Sequence, residues 1–136
     1  MSNHAKSISN VTAGSPFDAL PLRQALIQKQ DSYGIIVSDI DGIIRDWNPT
    51  AEQMYGITRE QALGNTMAEL FVSGDLPKLQ NEIAEAIARE GRWSGEIKFT
   101  GINGQEGISD TVIFAFRDDD GQPVRIGINR DITVHK

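Results

Sequence analysis

The chain has 136 residues, enough for one domain with a genuine core, and its 39% hydrophobic and 24% charged residues are the proportions of a globular protein. A formal net charge of −6 with dispersed Lys and Arg excludes a nucleic-acid surface, which needs clustered cations. The absence of cysteine excludes disulfides, thiolate nucleophiles, iron–sulfur clusters and cysteine zinc sites. No apolar run approaches the roughly 20 residues that cross a bilayer, and the first residues lack the apolar centre of a signal peptide, so the expected address is cytoplasmic, with no membrane contact.

Residues 1–15 are small and polar without periodicity, which predicts a disordered leader. Over residues 16–32, "PFDALPLRQALIQKQDS" sets Asp18 as an N-cap, Pro21 in an early turn, and Leu22, Ala25 and Leu26 on one side, predicting an N-terminal amphipathic helix. The main domain is expected over residues 33–136. It starts with "YGIIVSDIDGIIRDWN", read as two strands joined at Asp41-Gly42. Pro49 then opens a short helix that stops at Gly56, and Thr58 with Gln61 forms a capping box for another that ends by Gly64. A small turn follows from Thr66 to Phe71.

The longest helix is predicted from Asp75 to Glu90, since Leu76, Leu79, Ile83 and Ile87 recur every three or four residues and Gly91 terminates the pattern. Three strands close the chain, over Arg92 to Thr100, Gly107 to Arg117 and Pro123 to Ile132, with turns at "INGQEG" and "DDDGQ". The predicted class is α+β, a five-stranded antiparallel sheet with several short helices and one longer helix on one face.

Catalytic groups are sparse. His4 and His135 lie at the chain ends, where no general base is held against a substrate. The carboxylates Asp39 and Asp41, and the run Asp118, Asp119 and Asp120, sit where turns favour Asp for local hydrogen bonding. No strand-glycine-helix pattern cradles a phosphate. The expectation is a non-enzymatic protein.

The string "GIIVSDIDGIIRDWNPTAEQMYGITREQALGNTMAELF", together with "RWSGEI" and "INRDIT", resembles a PAS domain over roughly residues 32–136. That resemblance implies a sensory and dimerising module of signal transduction, coupled to an effector such as a histidine kinase, a cyclic-dinucleotide enzyme or a transcription regulator. It also frames the cofactor question. Haem-binding relatives carry a histidine on the long helix, where this chain has Leu79, so haem is not expected. The light-oxygen-voltage branch uses a cysteine that aligns with Met67, whose thioether cannot form the adduct.

Noncovalent flavin, as FAD, stays open as an alternative. Asn129 aligns with a last-strand glutamine that bonds the flavin ring, and Trp93 resembles a tryptophan of FAD-binding redox sensors. Asn129 reads equally as an ordinary polar strand residue, and Trp93 as core packing. Alternation along the strands puts Trp93, Gly95, Ile97 and Phe99 toward the helices, with a slot beside the indole at Gly95. In the hairpin it puts Ile36 and Ser38 inward, Ser38 as a pocket hydroxyl or a small edge residue, with Asn48 closing the second strand.

"TVIFAFRD" is apolar at both parities, which predicts a strand covered on both faces. Burying Phe114 and Phe116 outside would contribute about 3 to 6 kcal/mol, so a homodimer through that face and the N-terminal helix is expected. Asp131 and Thr133 resemble the Asp-x-Thr junction through which PAS cores reach an effector, Asp131 bracing the exit and Thr133 capping an outgoing helix. A third reading is a ligand-free protein-interaction PAS domain.

Overall fold

The hairpin that opens the sheet is set by one carboxylate. In the computed structural model, which describes residues 33–72 and 75–133, Asp39 Oδ1 accepts from the N–H groups of Asp41 (2.9 Å) and Ile43 (3.0 Å). Gly42 completes the turn with φ +83°, a left-handed conformation in which any Cβ would be strained. The strands that the turn joins are β1 (Gly34–Asp39) and β2 (Ile44–Trp47).

Helical turns follow: α1 (Pro49–Tyr55), α2 (Arg59–Ala62), α3 (Met67–Leu70) and the 15-residue α4 (Leu76–Glu90). Each boundary has a local cause. Gly56 (φ +66°) closes α1 and Gly91 (φ +80°) closes α4, each returning its N–H to the last turn. The predicted capping box is present: Thr58 N–H donates to Gln61 Oε1 at 2.9 Å, and Gln61 N–H to Thr58 Oγ1 at 3.1 Å. The strands β3 (Arg92–Thr100), β4 (Glu106–Arg117) and β5 (Pro123–Asp131) complete the fold.

All five strands pair antiparallel in the order β2-β1-β5-β4-β3, so the last strand runs through the middle of the sheet beside the first. Register decides which side chains share a face. Gly34, Ile36 and Ser38 of β1 lie opposite Asn129, Gly127 and Arg125 of β5, which in turn face Thr111, Ile113 and Ala115 of β4. Trp93, Gly95, Ile97 and Phe99 continue that row onto β3. This inner face packs with the helices around Trp47, Met54, Tyr55, Leu70 and Phe99. Trp47 is fully buried and its indole N–H donates to the Ile57 carbonyl at 2.9 Å.

The opposite face carries a second apolar cluster of Ile35, Phe116, Val124 and Ile126, with Phe114 and Ile128 packed against it. Phe116 is buried there while Ala115, one residue earlier and on the inner parity, is exposed. One expectation is corrected. β2 ends at Trp47, and Asn48 does not close it but caps α1, its Oδ1 accepting from Ala51 N–H at 2.9 Å. The leader over 1–15, the helix expected over 16–32, His4 and His135 lie outside the described residues.

Candidate functional site

Between the inner face and the helices lies a cavity of about 500 Å³, within the range of small-molecule sites. α4 contributes Leu76, Leu79 and Ile83; α3 and the residue after it contribute Met67 and Phe71. These are the apolar positions that face inward on helical spacing. The opposite wall is the sheet, where Ile36, Ile97, Phe99 and Ile113 flank a polar floor.

That floor is a single hydrogen-bonded row. Thr111 Oγ1 donates to Asn129 Oδ1 at 2.7 Å, and Asn129 Nδ2 donates to the Gly34 carbonyl at 3.0 Å. Ser109 and Thr111 hydroxyls are 2.7 Å apart, and the Tyr55 phenol bonds Ser109. Thr111 gives its proton to Asn129, and Ser109 Oγ lies within reach of both Thr111 Oγ1 at 2.7 Å and Asn129 Oδ1 at 3.4 Å. Ser109, Thr111 and Asn129 are 1%, 2% and 5% exposed, and a buried polar row of this kind is tolerable only because its members are paired.

Burial pushes the Tyr55 phenol up to about 12; the Ser109 hydrogen bond works against that shift and the charge of Asp131 adds to it. The remaining capacity on the floor is the second N–H of Asn129 Nδ2 and the Tyr55 hydroxyl.

The structure brings Ile36, Ser38, Met67 and Asn129 around this one cavity, along with Leu79. Asn48 is elsewhere. Besides capping α1, its Oδ1 accepts from Ile35 N–H at 2.9 Å and its Nδ2 donates to the Tyr33 carbonyl at 2.9 Å, so it fastens β1 to the helix. Trp93 is half-buried on the inner face of β3 but is not among the cavity residues. Its indole lies over Gly95, where a Cβ would come within 2.8 Å of the ring. The room left by that glycine is therefore filled by the indole, and no slot opens beside it. Trp93 and Asn129, both expected to hold a flavin ring in that alternative, do not line one void, and the Asn129 oxygen is already engaged.

Sequence reasoning missed Tyr55, Ser109, Thr111, Gly127 and Arg125, all on or beneath the cavity floor. A signal existed for two of them, since Ser109 and Thr111 share the parity of Ile113, which is the pattern of polar groups aimed at a common partner.

The acidic residues behave as turn builders. Desolvation pushes the Asp39 carboxyl up, but hydrogen bonds from Ile43 N–H, the Arg45 guanidinium and Asp41 N–H outweigh it and hold the group below its usual range. Asp118 Oδ1 accepts from the N–H groups of Asp120 and Gln122, both at 2.9 Å. At the end of β5, Asp131 Oδ1 accepts from Thr133 N–H at 2.9 Å and from the Thr133 hydroxyl at 2.5 Å, while Thr133 Oγ1 accepts from Ile108 N–H at 3.0 Å. No helix among the described residues is long and apolar enough to cross a membrane.

The family model described as PAS fold matches residues 29–136. A PAS domain of a protein from Colwellia psychrerythraea is 34% identical with a TM-score of 0.72, the match covering 82% of this chain and 97% of that one. The blue-light activated histidine kinase of Erythrobacter litoralis EL346 is 19% identical with a TM-score of 0.64, over 76% of this chain and 34% of the kinase. A PAS domain in complex with ethanol, from a LuxR-family transcriptional regulator of Burkholderia thailandensis, is 16% identical with a TM-score of 0.62, over 74% of this chain and 88% of that one. No curated protein matches the chain.

Proposed function

The chain belongs to the PAS family, which is typical of signalling proteins, and on that premise we propose that it is a sensory module, not a catalyst, that binds a small, mainly apolar ligand in the cavity between sheet and helices. The observation that carries this reading is the cavity itself: about 500 Å³, walled by α4, α3 and the inner strands, over a floor whose polar groups already satisfy one another. Such a site rewards apolar contact and offers few positions for polar recognition.

Occupancy would be felt first by β5, which carries Asn129 and ends in the Asp131–Thr133 turn, and from there by β4 through the Thr133 bond to Ile108. A ligand that favours one arrangement of this strand pair shifts the population toward it. The output is passed to an effector of the kinase, cyclic-dinucleotide or transcription-regulator kind, in a cytoplasmic homodimer. The outer cluster around Phe116 and Ile126 supports that assembly, being apolar on a face the inner helices do not cover.

A flavin is not favoured, because Trp93 lies outside the cavity lining and the Asn129 carbonyl is held by Thr111. Native mass spectrometry of the purified chain, before and after denaturation, tests the reading. A retained small molecule released on denaturation is expected, at one per subunit of a dimer. A chain that releases nothing, and whose melting temperature no apolar compound raises, would reject it.

A further inference from the structure

Resting on the cavity reading above, we infer that the ligand is a flat, mainly apolar anion of the aromatic carboxylate class, its ring lying over Gly127 and its carboxylate on Arg125. The inner face of β5 presents Asn129, Gly127 and Arg125 in that order, and all three line the cavity. Gly127 sits mid-strand with no positive φ to require a glycine. A Cβ there would meet nothing closer than Asn129 Nδ2 at 3.5 Å, with the Ile36 carbonyl at 3.8 Å and Ile113 Cγ1 at 3.9 Å. Neither conformation nor crowding explains a residue that weakens a strand, whereas close approach of a bound molecule to the backbone does.

The bare position is flanked across the ladder by Ile36 and Ile113. Three adjacent strands give a shelf roughly 10 Å wide, flat at its centre and apolar at its edges, suited to a single ring.

Arg125 supplies the charge. Its residue is half-buried, and its guanidinium makes no hydrogen bond or ion pair among the described residues. The other charged side chains that line the cavity do not compete for it. Asp39 is committed to Arg45 at 2.9 and 2.5 Å, while Asp41 and Lys98 are exposed. A guanidinium keeps its charge at any working pH and presents a planar fork that fits a carboxylate. At the far end the spare N–H of Asn129 is free for an acceptor on the ring.

The test uses the full chain, stripped of ligand by denaturation and refolding, with benzoate and benzamide as probes followed by amide-resonance titration. The inference expects saturable benzoate binding that weakens about 10- to 100-fold in Arg125→Gln, the range for charge-assisted hydrogen bonds. Benzamide should be weaker and indifferent to that change. Gly127→Val should remove both, with its melting temperature at or above the parent's. Arg125→Lys provides a second variant that keeps the charge without the fork, and should fall between parent and Arg125→Gln. Equal affinities for the two probes, unmoved by either Arg125 variant, would overturn the anion while leaving the cavity reading intact. Binding of neither probe would also overturn it, and toluene then decides the reading beneath: toluene binding lost in Gly127→Val upholds the cavity, and no binding rejects both.

Discussion

Replacing Gly127 with alanine should make this protein more stable, which is unusual for a change inside a sheet. The new Cβ would have its nearest neighbour at 3.5 Å, ordinary van der Waals distance, so the native state accepts it without movement. The unfolded chain meanwhile loses backbone freedom, an effect of about 0.5–1 kcal/mol in favour of folding. For a domain of this size that corresponds to roughly 2–5 °C in melting temperature. Gly101 is the control. There a Cβ would lie 2.9 Å from the Tyr55 carbonyl oxygen and 3.3 Å from Ile57 Cδ1, and because the first is backbone it cannot rotate away. Gly101→Ala should therefore cost about 1–3 kcal/mol, the usual penalty of overpacking. Urea titration and thermal melts of refolded, ligand-free protein measure both, since bound ligand would stabilise the parent selectively. If Gly127→Ala proves as damaging as Gly101→Ala, the space above β5 is not open and the argument from steric room fails.

Asn48→Ala should lower stability by about 2–3 kcal/mol, read as a shift in the urea midpoint, because it removes a helix cap and leaves the Ile35 N–H and the Tyr33 carbonyl without their partner. Thr111→Val keeps the shape but leaves Asn129 Oδ1 without its close 2.7 Å donor, for a loss of about 1–3 kcal/mol in the same assay. Raising the pH should destabilise the fold through Tyr55. Its phenol titrates near 10 in the unfolded chain and at about 12 when folded, so its contribution is intact below pH 10 and is lost as pH climbs toward 12. The full loss is roughly 2–3 kcal/mol, and Tyr55→Phe should flatten that part of the pH dependence of the urea midpoint between about pH 10 and 12.

Local chemistry carried the fold into the sequence. Glycines with positive φ at Gly42, Gly56 and Gly91, the Thr58–Gln61 box and the spacing of Leu76, Leu79 and Ile83 each specify an element through contacts within a few residues. The outer cluster was visible from the strand pattern, since Phe114 and Phe116 fill one parity and Ile113 and Ala115 the other, leaving none that is polar. Asn48 was misplaced because an asparagine before Pro49 satisfies both a strand end and a helix cap, and only the nearby amide of Ala51 decides between them. The slot expected beside Trp93 is absent because period two fixes a face, which was read correctly, but not the direction in which a large ring folds along it. The floor of the cavity was legible only in pieces, Asn129 singled out and Ser109 and Thr111 marked by parity, for a different reason. Tyr55, Thr111 and Asn129 belong to α1, β4 and β5, and only the pairing of the first strand with the last brings Gly34 beneath them.

The row from Tyr55 to Asn129 ties the end of α1 to β4 and β5 through side chains alone. Whatever took possession of the Asn129 oxygen would free the Thr111 hydroxyl to turn toward Ser109, whose own bond reaches Tyr55, so an event on the sheet would be felt at a helix end with the path of the backbone unchanged.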